Sequence, residues 1–462
     1  MRANWKNWWC WFKNYATSQA KTNPLKNLFS IFSIAILIFL TYVENSNWII
    51  IFSLIFMTLI HISNWKILIL SLLLGSLLIM SKEITNLWIS NFVGQNLNGN
   101  YVIENTFKNG FVFKYNNVNI YTFTENKIYS RGDLVSLQGI IKKLENSNSF
   151  YKSNNIYLVL QKPVIEIVEK NLLVQKFDNY NLNAKIFLNL ILLSTKISSS
   201  KEILKTLQNL NLSHFFVVSG FHFAILFLTI NLIISKIKYI SKFSIFISFI
   251  ILFCYLILLK FQISAFRAFI FLALVYFNKK YLNSKFKNVD ILAFLAYCFI
   301  LFNPSIIYNL SFIFSFTLST IILLSNNIFK FVKRKWLTQI FIVILAFISS
   351  QLISITINPT ISIFGFLYQM IFTPIFYLSY LISIIFFWQI DMCNAYFNFL
   401  NEIIIFLDKT NYLVEIKKQA YSLIFALHLM FIFLSIIIEQ KRIYTNFVIK
   451  NHFLKCHQMF VH

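Results

Sequence analysis

The chain has 462 residues, 58% of them hydrophobic and only 12% charged, with 41 basic against 16 acidic side chains and a formal net charge of +25. A soluble domain carries about 25% charged residues, so an ordinary aqueous globule is excluded. With 54 Phe and 22 Tyr a disordered chain is excluded too, because such chains are poor in aromatic residues. The class is integral membrane protein.

Residues 1–27 read as a cytoplasmic, interfacial segment. Trp5, Trp8, Trp9, Trp11 and Phe12 are interleaved with Arg2, Lys6 and Lys13, and Lys21 and Lys26 follow without an acid. Tryptophans beside lysines anchor at the headgroup level, and the positive charge places the N-terminus inside. No small-residue cleavage site follows the first apolar run, so no cleavable signal is expected.

Residues 28–81 form an N-terminal block of three spans, Leu28 to Val43, Trp48 to Ser63 and Ile67 to Met80. Each approaches the 20 or so apolar residues that a bilayer requires. Three crossings deliver residues 94–170 outside. There the pattern turns to period two, the mark of strands. Gly110 to Tyr115 and Val118 to Phe123 flank a hairpin turn at Asn116-Asn117, and Gly132 to Ile141 and Ile156 to Leu160 add further strands. A small closed β-domain of the OB type is expected. Arg131-Gly132-Asp133 reads as the turn entering a strand.

Residues 171–211 read as a helical connector, and 212–440 as a second hydrophobic block. Its expected spans are Phe215 to Ile234, Phe243 to Leu259, Ser264 to Phe277, Val289 to Phe302, Ile306 to Leu324, Trp336 to Ile355, one within Ile361 to Ile390, and Tyr421 to Ile438. Lysine and arginine clusters at 236–242, 279–287 and 330–335 follow every second crossing, the phase required if the β-domain is outside. Pro374 is expected to interrupt its segment, and Asn394 to Lys418 suits an amphipathic helix. The side of the basic tail, 441–462, stays open. The fold class is a polytopic α-helical membrane protein of about 10–11 spans with an extracytoplasmic all-β OB-like domain.

Ionisable groups inside spans are costly and face a protein interior or a water-filled path. His214, Ser219, Gly220 and His222 fall in one apolar run, and Ser264 and Arg267 open another. In an unbroken helix the two histidines are about 12 Å apart along the axis, so they share no metal unless the helix breaks near Ser219-Gly220. Helix–helix hydrogen bonding and a polar pathway both explain them. Asp290 begins a span, where a carboxylate complements the helix dipole. Five scattered cysteines give no disulfide framework or zinc site, and no cofactor is expected.

Ser213-His-Phe-Phe-Val-Val-Ser-Gly-Phe-His222 resembles the signature of the ComEC family of competence proteins, and Ser264-Ala-Phe-Arg-Ala268 is similar to that family's Ser-x-x-Arg-Ala element. Asp290, Asn303-Pro304, Phe312 and Ser315-Phe316, then Phe364-Gly365 and Pro374, follow in the family's order. Asn211 stands where Gly is usual, Ser311 and Phe314 depart around Phe312, and Gln369 replaces an Asn. The resemblance implies a membrane channel for incoming single-stranded DNA, with His214, Ser219, Gly220, His222, Ser264, Arg267 and Asp290 along the path. It also implies separate partners: a cytoplasmic ATPase or helicase, a DNA receptor and a nuclease; a homo-oligomer is compatible. Fuller members carry a C-terminal metallo-β-lactamase-like domain whose His-x-His-x-Asp-His cluster is absent from this sequence, so a short form without nuclease activity is expected. No Walker A pattern exists to energise transport.

In the β-domain, nine basic and six acidic residues leave two readings open: a scaffold at the mouth, or a strand-binding surface. The latter would use Lys108, Lys114, Arg131, Lys142 and Lys143 with Tyr115 or Tyr121. Two rivals to the DNA channel are a small-molecule or lipid transporter and a membrane-embedded transferase using His214 or His222 as general base.

Overall fold

The computed structural model describes residues 28–44, 65–107, 109–124, 129, 131–144, 151–152, 154–170, 176–195, 197–215, 220–328, 334–355 and 360–415. The expected spans Trp48 to Ser63 and Tyr421 to Ile438, both terminal segments, Lys108 and Ser219 lie outside the described residues.

Helices α1 (Leu28–Glu44) and α2 (Trp65–Ser90) pack side by side. On α2 the buried positions are Ile67, Ser71, Gly75 and Leu78, while Leu72, Leu73, Leu77 and Met80 are exposed. Small residues turned inward and large apolar ones turned outward reverse the soluble pattern and require lipid outside. A Cβ on Gly75 would come within 3.0 Å of Ile38, so the absence of a side chain sets how closely the two helices approach. Four helices are long and apolar enough to cross a bilayer, Trp65–Ser90, Ser241–Leu258, Trp336–Ile355 and Gly365–Ile385, with shorter apolar helices beside them. The protein is a membrane protein.

Near Ser81, whose hydroxyl donates to the Leu301 carbonyl at 2.5 Å, α2 leaves the apolar block and continues ten residues toward a β-barrel. The strands are β1 (Asn96–Phe107), β2 (Gly110–Tyr115), β3 (Val118–Phe123), β4 (Leu134–Lys143) and β5 (Ile156–Glu169), closed in the order β1-β2-β3-β5-β4. All contacts are antiparallel except β3 with β5. Period-two alternation sends Phe111, Phe113 and Ile120 into the core with Val135, Leu137 and Leu158, and Ile89 and Phe92 from the end of α2 join them. The bounds of β2 and β3 are those the sequence predicts. Asn116 and Asn117 between them both have positive φ, 46° and 65°, the geometry of a type I′ turn, whose twist suits a hairpin. A β-branched side chain is badly placed there. Asn117→Val is expected to destabilise the barrel by about 1–2 kcal/mol, seen as faster amide exchange in β2 and β3 than in the parent protein.

Ten helices follow: α3 (Leu182–Leu192), α4 (Lys201–Asn209), α5 (Gly220–Ser235), α6 (Ser244–Leu258), α7 (Ile263–Tyr281), α8 (Asn288–Phe302), α9 (Leu310–Ile328), α10 (Lys335–Ile355), α11 (Gly365–Ile385) and α12 (Ile390–Lys409). They build two apolar clusters. One joins α3, α4, α5, α6, α11 and α12; the other joins α1 and α2 to α8 and α9. Helix α7 divides them, giving Ala265 and Ala268 to the first and Ile263, Ile270 and Leu274 to the second.

Several expectations are corrected. The span expected from Phe215 begins only at Gly220, after a 3-10 turn at Ser213–Phe215, because Ser219-Gly220 favours a helix start over a helix interior. The span expected from Ile306 begins at Leu310, since Pro304 opens a 3-10 turn instead. Pro374 does not interrupt α11, which runs through it; the Thr373 hydroxyl donates to the Gln369 carbonyl at 2.6 Å in the turn where proline removes a backbone donor. The connector is more than a connector, for α3 is buried along most of its length in the first cluster. Helix α12 ends at Lys409, and Leu413–Glu415 (β7) pairs instead with Thr360–Ser362 (β6).

The barrel touches the loops at one end of the helices. The Tyr157 and Ser305 hydroxyls are hydrogen-bonded, and the Lys152 ammonium lies 5.6 Å from the centre of the Tyr308 ring. Lys260, between α6 and α7, lies within electrostatic reach of Arg131, Glu104 and Asp133 of the barrel. Partial burial, then the Arg131 cation, hold the Lys260 ammonium below the usual lysine range, opposed by the two carboxylates. The basic clusters follow the opposite ends of α5, α7 and α9.

Candidate functional site

Arg267 lies one turn into α7, at the boundary between the two clusters, and is 7% exposed. Its Nη1 donates to the Ser319 hydroxyl of α9 at 2.9 Å, and its guanidinium carbon lies 5.8 Å from the centre of the Phe316 ring. On the other side is α5. A Cβ built on Gly220 would lie 2.9 Å from Arg267 Nη2 and 3.5 Å from the Ala268 side chain, so glycine admits the guanidinium against the first residue of that helix. Among the described residues Arg267 has no ion-pair partner, and its buried Nε has no hydrogen-bond partner. One cation thus reaches from the first helix cluster to the second.

His222 is 1% exposed and stands edge-on to Phe376 and Tyr380 of α11, with ring centres 5.1 Å and 4.8 Å apart. Two residues along a helix turn the side chain by about 200°. His222 therefore faces α11 while Gly220 faces α7, and the helix start separates imidazole from guanidinium. His214 lies in the 3-10 turn before α5, and Ser264 is buried in the first turn of α7.

Asp290 stands apart. Its Oδ1 accepts from the Phe29 N–H at 2.9 Å and its Oδ2 from the Lys287 N–H at 3.0 Å. It ties the first turn of α1 to the start of α8, at the end opposite the barrel, one helix length of about 22 Å from Phe302.

Two departures from the family pattern meet in space. Asn211 has φ of 58°, a left-handed conformation that Asn tolerates next best after Gly. Its carbonyl accepts from Gln369 Nε2 at 3.0 Å, and its side-chain amide nitrogen lies 2.7 Å from where a Cβ on Gly365 would be. The substituted positions therefore lie together beside the start of α11.

The barrel candidates scatter. Lys114 is exposed and pairs with Glu104 at 3.6 Å. Lys142 and Lys143 are exposed on β4, and as neighbours on a strand they point to opposite faces. Tyr115 packs edge-on to Phe92 and Tyr101. Tyr121 is 3% exposed among Val112, Ile156 and Tyr151, so its ring faces are taken by packing. Arg131 is half-buried in the turn before β4, where Gly132 N–H donates to the Ile103 carbonyl at 2.8 Å; burial lowers its pKa, opposed by Glu104. Ser319, Phe376 and Tyr380 carry no motif in the sequence. The only signal was a Ser315–Ser319 pair four residues apart on an apolar helix.

The family model described as "Competence protein" matches residues 191–441. A Mycoplasma genitalium protein described as "Uncharacterized protein MG316" is 32% identical over 233 residues, 47% of this chain and 57% of that protein. Its homolog in Mycoplasma pneumoniae is 32% identical over 166 residues, 36% of this chain and 42% of that protein. The chain thus spans only about half the length of these relatives. No solved structure matches.

Proposed function

The chain belongs to the competence protein family, with a role in DNA uptake, and on that premise we propose that it is the channel through which single-stranded DNA crosses the cytoplasmic membrane. The observation that carries this reading is Arg267, a buried cation without a carboxylate at the seam between two helix clusters. A cation in that position suits a polyanion in transit. The path is lined by His214, Ser219, His222 and Arg267. About 10–11 spans are counted with the N-terminus cytoplasmic, and the barrel stands outside at the mouth.

The strand order β1-β2-β3-β5-β4 with its parallel β3–β5 contact supports an OB-like module. Its exposed Lys142 and Lys143 would meet phosphates. Full-length protein carrying Lys142→Ala and Lys143→Ala is expected to bind single-stranded DNA more weakly, with a salt dependence lowered by about one unit per lost contact; an unchanged slope would reduce the barrel to a scaffold. A cytoplasmic ATPase or helicase, a DNA receptor and a nuclease complete the system.

The deciding experiment is deletion of the gene. Labelled DNA should then fail to reach a DNase-resistant state inside cells. Normal uptake together with an altered lipid profile would favour a lipid transporter.

A further inference from the structure

We propose that the start of α5 and Arg267 form a binding site for a phosphate-type oxyanion, which, resting on the channel reading above, is a phosphodiester of the transported strand. The argument begins with charge. The first N–H groups of a helix have no intrahelical acceptor and carry roughly half a positive charge. Helix α5 has 16 residues, long enough for that end effect, and Arg267 Nη2 is set against its first residue. Two positive ends therefore face each other inside an apolar block.

Such an arrangement repels itself unless an anion lies between them. Phe316 and the Ser319 hydroxyl touch the guanidinium, but neither carries negative charge to offset it. The Nε has no partner, and the buried Ser315 hydroxyl, one turn before Ser319 on α9, has none either among the described residues. Donors thus come from three helices: backbone N–H groups of α5, guanidinium of α7 and hydroxyl of α9. Convergent N–H groups with a guanidinium match the tetrahedral oxygens of a phosphate, and the hydroxyl adds a neutral contact. Gly220 is part of the site, because any side chain would occupy the space of the guanidinium.

The test uses full-length protein in nanodiscs of zwitterionic lipid. Inorganic phosphate, compared with chloride at equal ionic strength, should raise the melting temperature of the parent protein and not of Arg267→Gln. Gly220→Ala, which displaces the guanidinium without removing it, should also lose the response. Arg267→Lys should keep part of it. A phosphodiester single-stranded oligonucleotide should bind the parent at least about tenfold more tightly than either Arg267→Gln or Gly220→Ala, whereas an uncharged methylphosphonate oligonucleotide should show no such difference. Phosphate responses in both variants equal to the parent's overturn the inference. A phosphate response that depends on Arg267, with no oligonucleotide binding, upholds the oxyanion site and sinks the channel reading. Loss of the oligonucleotide's effect only when phosphatidylglycerol is added assigns the site to a lipid headgroup and overturns the strand as occupant.

Discussion

Replacing His222 with alanine, at unchanged protein level, is expected to reduce entry of labelled DNA into the DNase-resistant state by about 10- to 100-fold, the effect of losing a buried polar contact. Alanine also removes the ring that packs edge-on against Phe376 and Tyr380, so stability falls as well, by about 2–4 kcal/mol. His222→Phe separates the two effects. It keeps a ring of similar size and removes only the nitrogens. If the imidazole serves the path, both variants lose uptake while only His222→Ala melts early. Normal uptake in His222→Phe would sink the assignment and leave His222 as a packing residue.

Asp290→Ala is expected to destabilise the protein by about 3 kcal/mol. Two charge-assisted hydrogen bonds, to Phe29 and Lys287, contribute roughly 1.5–3 kcal/mol each, and the sum is discounted because bonds at one site are not additive. Their loss leaves two helix-start donors without an acceptor and frees α1 from α8. Asp290→Asn retains one acceptor oxygen and should cost about half as much. Thermal melting of the purified protein measures both. A parent-like melting curve for Asp290→Ala combined with lost uptake would return Asp290 to the path; early melting with uptake restored at lower temperature fits its place as a tie between helices.

Much of the barrel was legible because strand periodicity is local. Gly110 to Tyr115 and Val118 to Phe123 alternate cleanly, and Asn116-Asn117 names its own turn. The last nine residues of β5, from Gln161 to Glu169, were not legible. Lys162, Pro163, Glu166 and Glu169 dilute the alternation, and there the strand is held mainly by β4. In the helices, apolar runs mark where lipid-compatible segments lie but not where a helix begins. The run from Phe215 looks continuous, while the helix starts at Gly220. Hydropathy does not register a cap, and a glycine there lets the neighbouring helix approach.

The sequence by itself determined the membrane class, the strand segments of the barrel and the residue types too costly to bury in lipid without a reason: His222, Arg267 and Asp290. Those follow from composition and from short periods, which need no knowledge of the rest of the chain. Tertiary structure alone decided what each meets. Arg267 finds Ser319 52 residues away, His222 finds Tyr380, and Asp290 finds Phe29 261 residues earlier. The net charge of +25 could not reveal this. Much of it sits in loops at helix ends, whereas the one cation that joins the two clusters is set by helix packing, which depends on shape across distant segments.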